Sequence, residues 1–227
     1  MDLLEGIRSR KSIRAFRSEA IPEKVIVDVL ETAIRAPSGV NLQPWEFFVV
    51  RGALLEELRR ANVEGYRLGR KPAPEIPVGD TKGGAPVLEG VFRERSVTLA
   101  KQIFLLLGIS KGDKKRQSEY MESMMRFYGA PAVLLIVADK ILAGAWPILD
   151  IGFVAQNITL AAQPYGLGTC VMRAIVDYPD EVRKILKIPE SKRIIVGIAI
   201  GYPDWNHPIN QLRTDRESIE DIVTFLE

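Results

Sequence analysis

Arg10-Lys11-Ser12-Ile13-Arg14 packs three cations and a hydroxyl into five residues, directly after an amphipathic stretch. Far along the chain, Asn210-Gln211-Leu212-Arg213-Thr214-Asp215-Arg216 adds two more guanidiniums. Converging on one point, such groups suit a phosphate monoester, because arginine's fork matches phosphate oxygens two at a time and a dianion needs several donors. Any one of these arginines taken alone is more commonly a solvated surface charge. Between the clusters, Ala36-Pro37-Ser38-Gly39-Val40-Asn41-Leu42-Gln43-Pro44-Trp45 is a polar, proline-bracketed loop. Trp45, at a strand start, reads as core.

The elements that carry these residues follow from hydrophobic spacing. Leu3, Leu4 and Ile7 share one face of a short helix over Leu3 to Arg10. Pro22 opens a second helix, with Val25, Ile26, Val29, Leu30, Ala33 and Ile34 at helical spacing until Pro37 stops it. Glu46 to Val50 reads as a strand and Leu54 to Asn62 as a helix. Pro72, Pro74 and Pro77 force a loop, since proline removes donors and fixes φ. Gly79 to Gly84 is turn-like, Val87 to Leu107 helical, and a charged turn at Gly112 to Arg116 leads into a helix through Met121 and Met124. Ala132 to Ala138 reads as a buried strand, Pro179 to Leu186 as a helix, and Arg193 to Ile200 as a strand that alternates poorly. Ile219, Ile222, Val223 and Leu226 predict a closing helix over Arg216 to Leu226. Ile148 to Ala162 is apolar on nearly every face and must be covered all round. A subunit contact and the middle of a monomer core fit it equally.

Bulk composition narrows the chemistry. The 227 residues suit one domain, and 31 basic against 29 acidic residues leave a charge of only +2, so nothing global attracts nucleic acid or an anionic membrane. One cysteine, Cys170, precludes an internal disulfide and thiolate zinc sites, and one histidine, His207, leaves little for a transition metal. His207 itself reads as a surface loop residue. The acidic start Met1-Asp2-Leu3-Leu4-Glu5 is unlike a secretory signal, and the apolar run Ala130 to Ala138 falls short of the roughly 20 residues a bilayer needs. A cytoplasmic protein is expected.

The motifs in their order resemble the FMN-dependent nitroreductase family. Arg10, Ser12 and Arg14 meet its N-terminal pattern, and Pro37, Ser38, Asn41, Gln43, Pro44 and Trp45 meet its loop. A long apolar helix from Asp150 to Ala162 runs into Gly166-Leu167-Gly168-Thr169-Cys170, and Gly201-Tyr202-Pro203 precedes Arg213 and Arg216. The resemblance covers most of the chain. It implies an α+β fold with a central, mostly antiparallel sheet flanked by helices, a long central helix at a dimer interface, and a homodimer with FMN bound between subunits. It also implies one domain over 1–227 with a variable, lid-like excursion at about 63–127, which the residues alone equally allow to be a solvated helical hairpin.

In the site that the resemblance implies, Arg10, Ser12, Arg213 and Arg216 serve the phosphate and ribityl chain, with Lys11 adding backbone or charge. Which of Arg213 and Arg216 touches phosphate is open. Asn41 and Arg14 suit the ring's amide-like edge, where a cation favours the anionic reduced flavin. Pro37, Ser38 and Gly39 reach the partner's flavin, and the backbone of Cys170, Val171, Met172 and Arg173 runs along the ring with an N–H at N5. Cys170 lacks an activating neighbour and reads as a small buried hydrophobe. The implied mechanism is ping-pong, NADH or NADPH reducing the flavin and a nitroaromatic, quinone or similar small acceptor reoxidising it. No catalytic side chain is required. Gly166-Leu167-Gly168 lacks the third glycine of a dinucleotide fingerprint and follows a helix. A dehalogenating or flavin-cleaving relative of the same fold, or a non-catalytic flavin-binding protein, is the alternative.

Overall fold

β4 (Ala132–Asp139) is buried along all but its last residue, and this is possible because both of its faces are covered. Side chains alternate across a strand, so Val133, Leu135 and Val137 enter one core while Ala132, Leu134, Ile136 and Ala138 enter another. The computed structural model describes residues 2–79, 81–82 and 85–227. In it β4 lies inside a four-stranded sheet of order β1-β4-β6-β5, with β1 (Glu46–Arg51), β5 (Gly168–Met172) and β6 (Lys192–Gly201). Every neighbouring pair is antiparallel. The pairing of β4 with β6 shifts register between Ile136 and Val137, which leaves Ile195 without a partner. β6 sends side chains into both cores, which is why its sequence alternates poorly.

The first core is closed by α3 (Gly52–Arg67) and α7 (Pro179–Leu186), the second by α2 (Glu23–Ala33) and α6 (Trp146–Ala161). Trp45 is buried in the second core, as its position suggests. α4 (Gly90–Leu106) and α5 (Lys114–Met125) make up the excursion, α4 packing through Ile103 against Ala15, Ile209 and Leu212. α1 (Leu3–Ser9) and the one-turn α8 (Ile219–Ile222) lie at the two ends. Between α3 and α4, β2 (Thr81–Lys82) pairs with β3 (Ala85–Pro86). The turn expected over Gly79 to Gly84 includes residues 80, 83 and 84, which lie outside the described residues. No helix among the described residues is long and apolar enough to cross a membrane.

Several boundaries differ from the spacing of the sequence. α2 ends at Ala33 rather than at Pro37, because the residue ahead of a proline is pushed out of helical geometry and the chain closes with turns to Leu30 and Ala33 carbonyls. α3 continues past Asn62, whose buried side chain donates to the Ala174 carbonyl at 2.6 Å and so costs the helix nothing. The closing helix shrinks most. Ser218 caps a single turn, after which the chain is extended, with Phe225 84% and Leu226 90% exposed. Apolar spacing stabilises a helix only when its stripe is buried, and this chain offers that stripe no surface. α6 is likewise covered on one side only, leaving Trp146, Leu149 and Phe153 in the open.

Gly197 shows how closely the first core is filled. A Cβ there would lie 2.4 Å from Ile175 Cγ2. Gly197→Ala is expected to destabilise the fold by about 1–3 kcal/mol through overpacking, measured as a lowered midpoint in urea unfolding.

Candidate functional site

After α1 the chain runs extended against β5. Ser12 forms a parallel bridge with Thr169, and the Ile13 amide donates to the Thr169 carbonyl at 2.9 Å. Gly168 permits this contact, since a Cβ on it would lie 2.4 Å from Ile13 Cγ1. The other side of the segment is fixed by Asn210, which is 1% exposed. Its Oδ1 accepts the Arg14 amide at 2.8 Å, and its Nδ2 donates to the carbonyls of Ala15 and Asp204, both at 2.8 Å. Lys11 Nζ donates to the Asn210 carbonyl and stands over the Trp205 ring at 5.0 Å from its centroid. Sequence reasoning quotes Asn210 within the basic segment but gives it no role. The only signal is an amide three residues ahead of Arg213.

These contacts bring the two distant clusters together. Arg10, Lys11, Ser12, Arg14, Arg213 and Arg216 all line one cleft of about 760 Å³, with Arg8, Leu99 of α4 and Gln156 of α6. Burial lowers the pKa of Arg10 and Lys11, and the neighbouring guanidiniums of Arg216 and Arg213 respectively push in the same direction. The charges are close enough to feel one another, which is the condition for holding a single anion. No carboxylate lines the cleft, and none of its cations forms an ion pair among the described residues.

A second hollow of about 370 Å³ borders α6 on the N-terminal side of Gln156, where Ile148, Ile151, Gly152 and Ala155 line it with Val171 and Ile76. Its walls are apolar apart from Arg173, whose Nε lies 2.8 Å from Oδ1 of the buried Asp177. Burial raises the Asp177 carboxyl and Arg173 opposes that rise. Gln156 in the cleft and Ile148 in the hollow are separated by roughly 12 Å of helix at 1.5 Å per residue. A cationic cleft and an apolar hollow that both border α6 suit the two chemistries of a ligand with a phosphate and a planar apolar body. Val171 is half-exposed toward the hollow, whereas Cys170 and Met172 point into the first core.

The loop residues Pro37, Ser38, Gly39 and Asn41 do not join this cleft within one chain; they line neither hollow. The loop is nonetheless held in a definite shape. The Gly39 amide donates to Oδ2 of buried Asp150 at 3.2 Å, and the Gln43 amide to Ser38 Oγ at 3.0 Å. Val40, Asn41 and Gln43 have φ of 44°, 59° and 47°, and left-handed backbone at three non-glycine residues persists only where neighbours enforce it. Val40 at its tip is 92% exposed. His207, partly buried, accepts the Ile209 amide at Nδ1 and caps a short turn, a more definite job than a loop residue's. Among the described residues no cluster of His, Cys, Asp and Glu could hold a metal.

The sequence model of the Nitroreductase family matches residues 7–202. The chain is 32% identical over 222 residues to 4-nitrobenzoate reductase of Nocardioides sp. (strain LMS-CY), covering 97% of this chain and 88% of that protein. It is 31% identical over 223 residues to nitroreductase NfnB of Mycolicibacterium smegmatis, covering 96% and 90%. The crystal structure of the FMN-dependent nitroreductase NfnB from Mycobacterium smegmatis in complex with NADPH superposes with a TM-score of 0.89 at 30% identity, over 99% of this chain and 97% of that one.

Cys170 is poorly placed to react. Burial pushes its thiol up, against the weaker pull of Arg14, a Ser12 hydrogen bond and Arg10. At pH 7–8 the folded protein is expected to resist a thiol reagent and to label once unfolded, with folded-state labelling rising only at higher pH; absorbance kinetics with and without denaturant read this directly.

Proposed function

The chain belongs to the Nitroreductase family, and we propose that it works as an FMN-dependent oxidoreductase taking electrons from NADPH or NADH to a small nitroaromatic or quinone-like acceptor. The observation that carries this reading is the cleft itself: six cations lining one hollow without a carboxylate, with a separate apolar hollow on the same helix α6. Those residues fit FMN. Held by these residues, FMN would supply the redox chemistry, a two-electron exchange between a nicotinamide and the acceptor in a ping-pong sequence.

The chain's own residues bind and exclude. Arg10, Lys11, Ser12, Arg213 and Arg216 hold the phosphate and ribityl end, their charges partly desolvated so that each contact is stronger than at an open surface. Arg14, fixed by its backbone bond to Asn210, sets a cation where it favours the reduced, anionic ring. The backbone from Cys170 to Arg173 and the half-exposed Val171 side chain would hold the ring. Ile148, Ile151 and Ala155 keep water from the apolar end, and the space they leave suits a planar aromatic acceptor. Leu99 brings α4 to the rim, so the excursion at about 63–127 acts as a lid.

The site is completed by a second copy. The exposed stripe of α6, the apolar face of α1 and the extended tail at Phe225 and Leu226 are surfaces a partner would cover, and Asn41 with Pro37, Ser38 and Gly39 then reaches the partner's flavin. A single buried, unpaired thiol accords with a reducing compartment such as the cytoplasm.

Anaerobic titration tests the activity: one equivalent of NADPH or NADH should bleach a bound flavin, and a protein that takes up no FMN would overturn the reading. Arg10→Ala should weaken FMN binding by about tenfold to a hundredfold, since hydrogen bonds to charged groups contribute about 1.5–3 kcal/mol. Phe153→Glu should convert the dimer to monomer with loss of flavin, followed by light scattering and the flavin-to-protein ratio; a flavin-loaded variant of unchanged mass would refute the shared site.

A further inference from the structure

The phosphate-binding cations have a second side. Behind the cleft lies another cavity of about 290 Å³, and Arg10, Lys11 and Arg213 line both. The back cavity adds Trp205, Gln163 and Thr169, and again no carboxylate. Trp205 is 54% exposed, so much of its indole is available as a stacking surface beside the Lys11 ammonium.

Charge makes the second cavity significant. Six cations line the front cleft, without ion pairs among the described residues. One phosphate monoester carries about −1.5 to −2 at neutral pH, which leaves most of that positive charge unmatched. A wall of cations open to cavities on both faces can bridge two anions, each relieving the mutual repulsion of the cluster. The indole supplies what a bare anion would not use, a flat apolar face for a base.

We propose that this back cavity is a second nucleotide site, taking a nucleoside monophosphate whose phosphate shares Arg10, Lys11 and Arg213 with the flavin phosphate and whose base stacks on Trp205. The site rests on the flavin reading, since the shared cations are those assigned to FMN. Its ligand is a separate molecule, because two phosphomonoesters together approach the charge of the cluster, whereas the pyrophosphate of a flavin dinucleotide adds none beyond that of FMN.

The test is calorimetric titration of the FMN-loaded protein with AMP, using adenosine and inorganic phosphate as controls lacking the phosphate or the base. AMP should bind at least tenfold more tightly than either control without releasing flavin. Trp205→Ala should weaken AMP about tenfold and leave the flavin-to-protein ratio unchanged, and Trp205→Phe should restore most of the affinity. AMP that displaces FMN, or an affinity indifferent to Trp205→Ala, would overturn the second site. Tight binding of FAD to the apoprotein that blocks AMP would assign the cavity to a dinucleotide's own adenylate and overturn the separate ligand. FMN at one per chain with no AMP bound defeats this proposal alone; no FMN bound defeats the reading beneath it.

Discussion

One buried carboxamide organises the site. The Asn210 carboxamide spends both of its donor hydrogens and accepts one hydrogen bond, all on backbone: the amide of Arg14 and the carbonyls of Ala15 and Asp204. A buried amide without partners would cost about 1–3 kcal/mol for each unsatisfied group, so the two segments it touches, Arg14–Ala15 and Asp204, are obliged to stay together. The N-terminal segment is thereby pressed between Asn210 on one side and Thr169 of β5 on the other. Side chains from Arg10 to Arg14 inherit their directions from that clamp. The cation cluster is possible because its repulsion is opposed by uncharged hydrogen bonds of this kind.

The sheet beneath plays a quieter part. β4 is apolar on both faces, and its burial fixes the register of β6, which in turn carries β5 and the backbone that faces the apolar hollow. The bulge at Ile195 and the absent Cβ of Gly197 are accommodations to that packing. The two hollows thus have different origins. The apolar one is built on sheet and helix core; the cationic one is built on loops pinned by side-chain amides.

This difference explains how much could be read from the sequence. Strand and helix positions followed from spacing, and β4 and α7 appear almost where their residues predict them. The arginines were legible because residue type alone states their chemistry and the motif order supplied the meeting place. Asn210 and Asp150 were not assigned roles, because a satisfied buried polar residue looks like any loop polar residue until its partners, far away in sequence, are known. The closing helix failed for a different reason. Its apolar spacing is real, but one chain provides no surface for Ile222, Phe225 and Leu226, so local periodicity lacked the burial that would make it a helix. The unpaired stripe of α6 is the same statement made by a longer element, one held helical by the core on its other side.

The clamp between Arg14 and Asn210 joins residues 196 positions apart. During synthesis the ribosome must therefore deliver nearly the whole length before the anion cleft can exist, whatever the order in which the cores collapse. Closing so long a loop costs entropy that grows only slowly with length, yet it comes late and rests on few contacts. Cofactor capture is accordingly a late event in the life of the molecule. A ligand that bridges the two segments acts as a stitch across that closure, and a loaded molecule certifies that its translation ran on past Arg216.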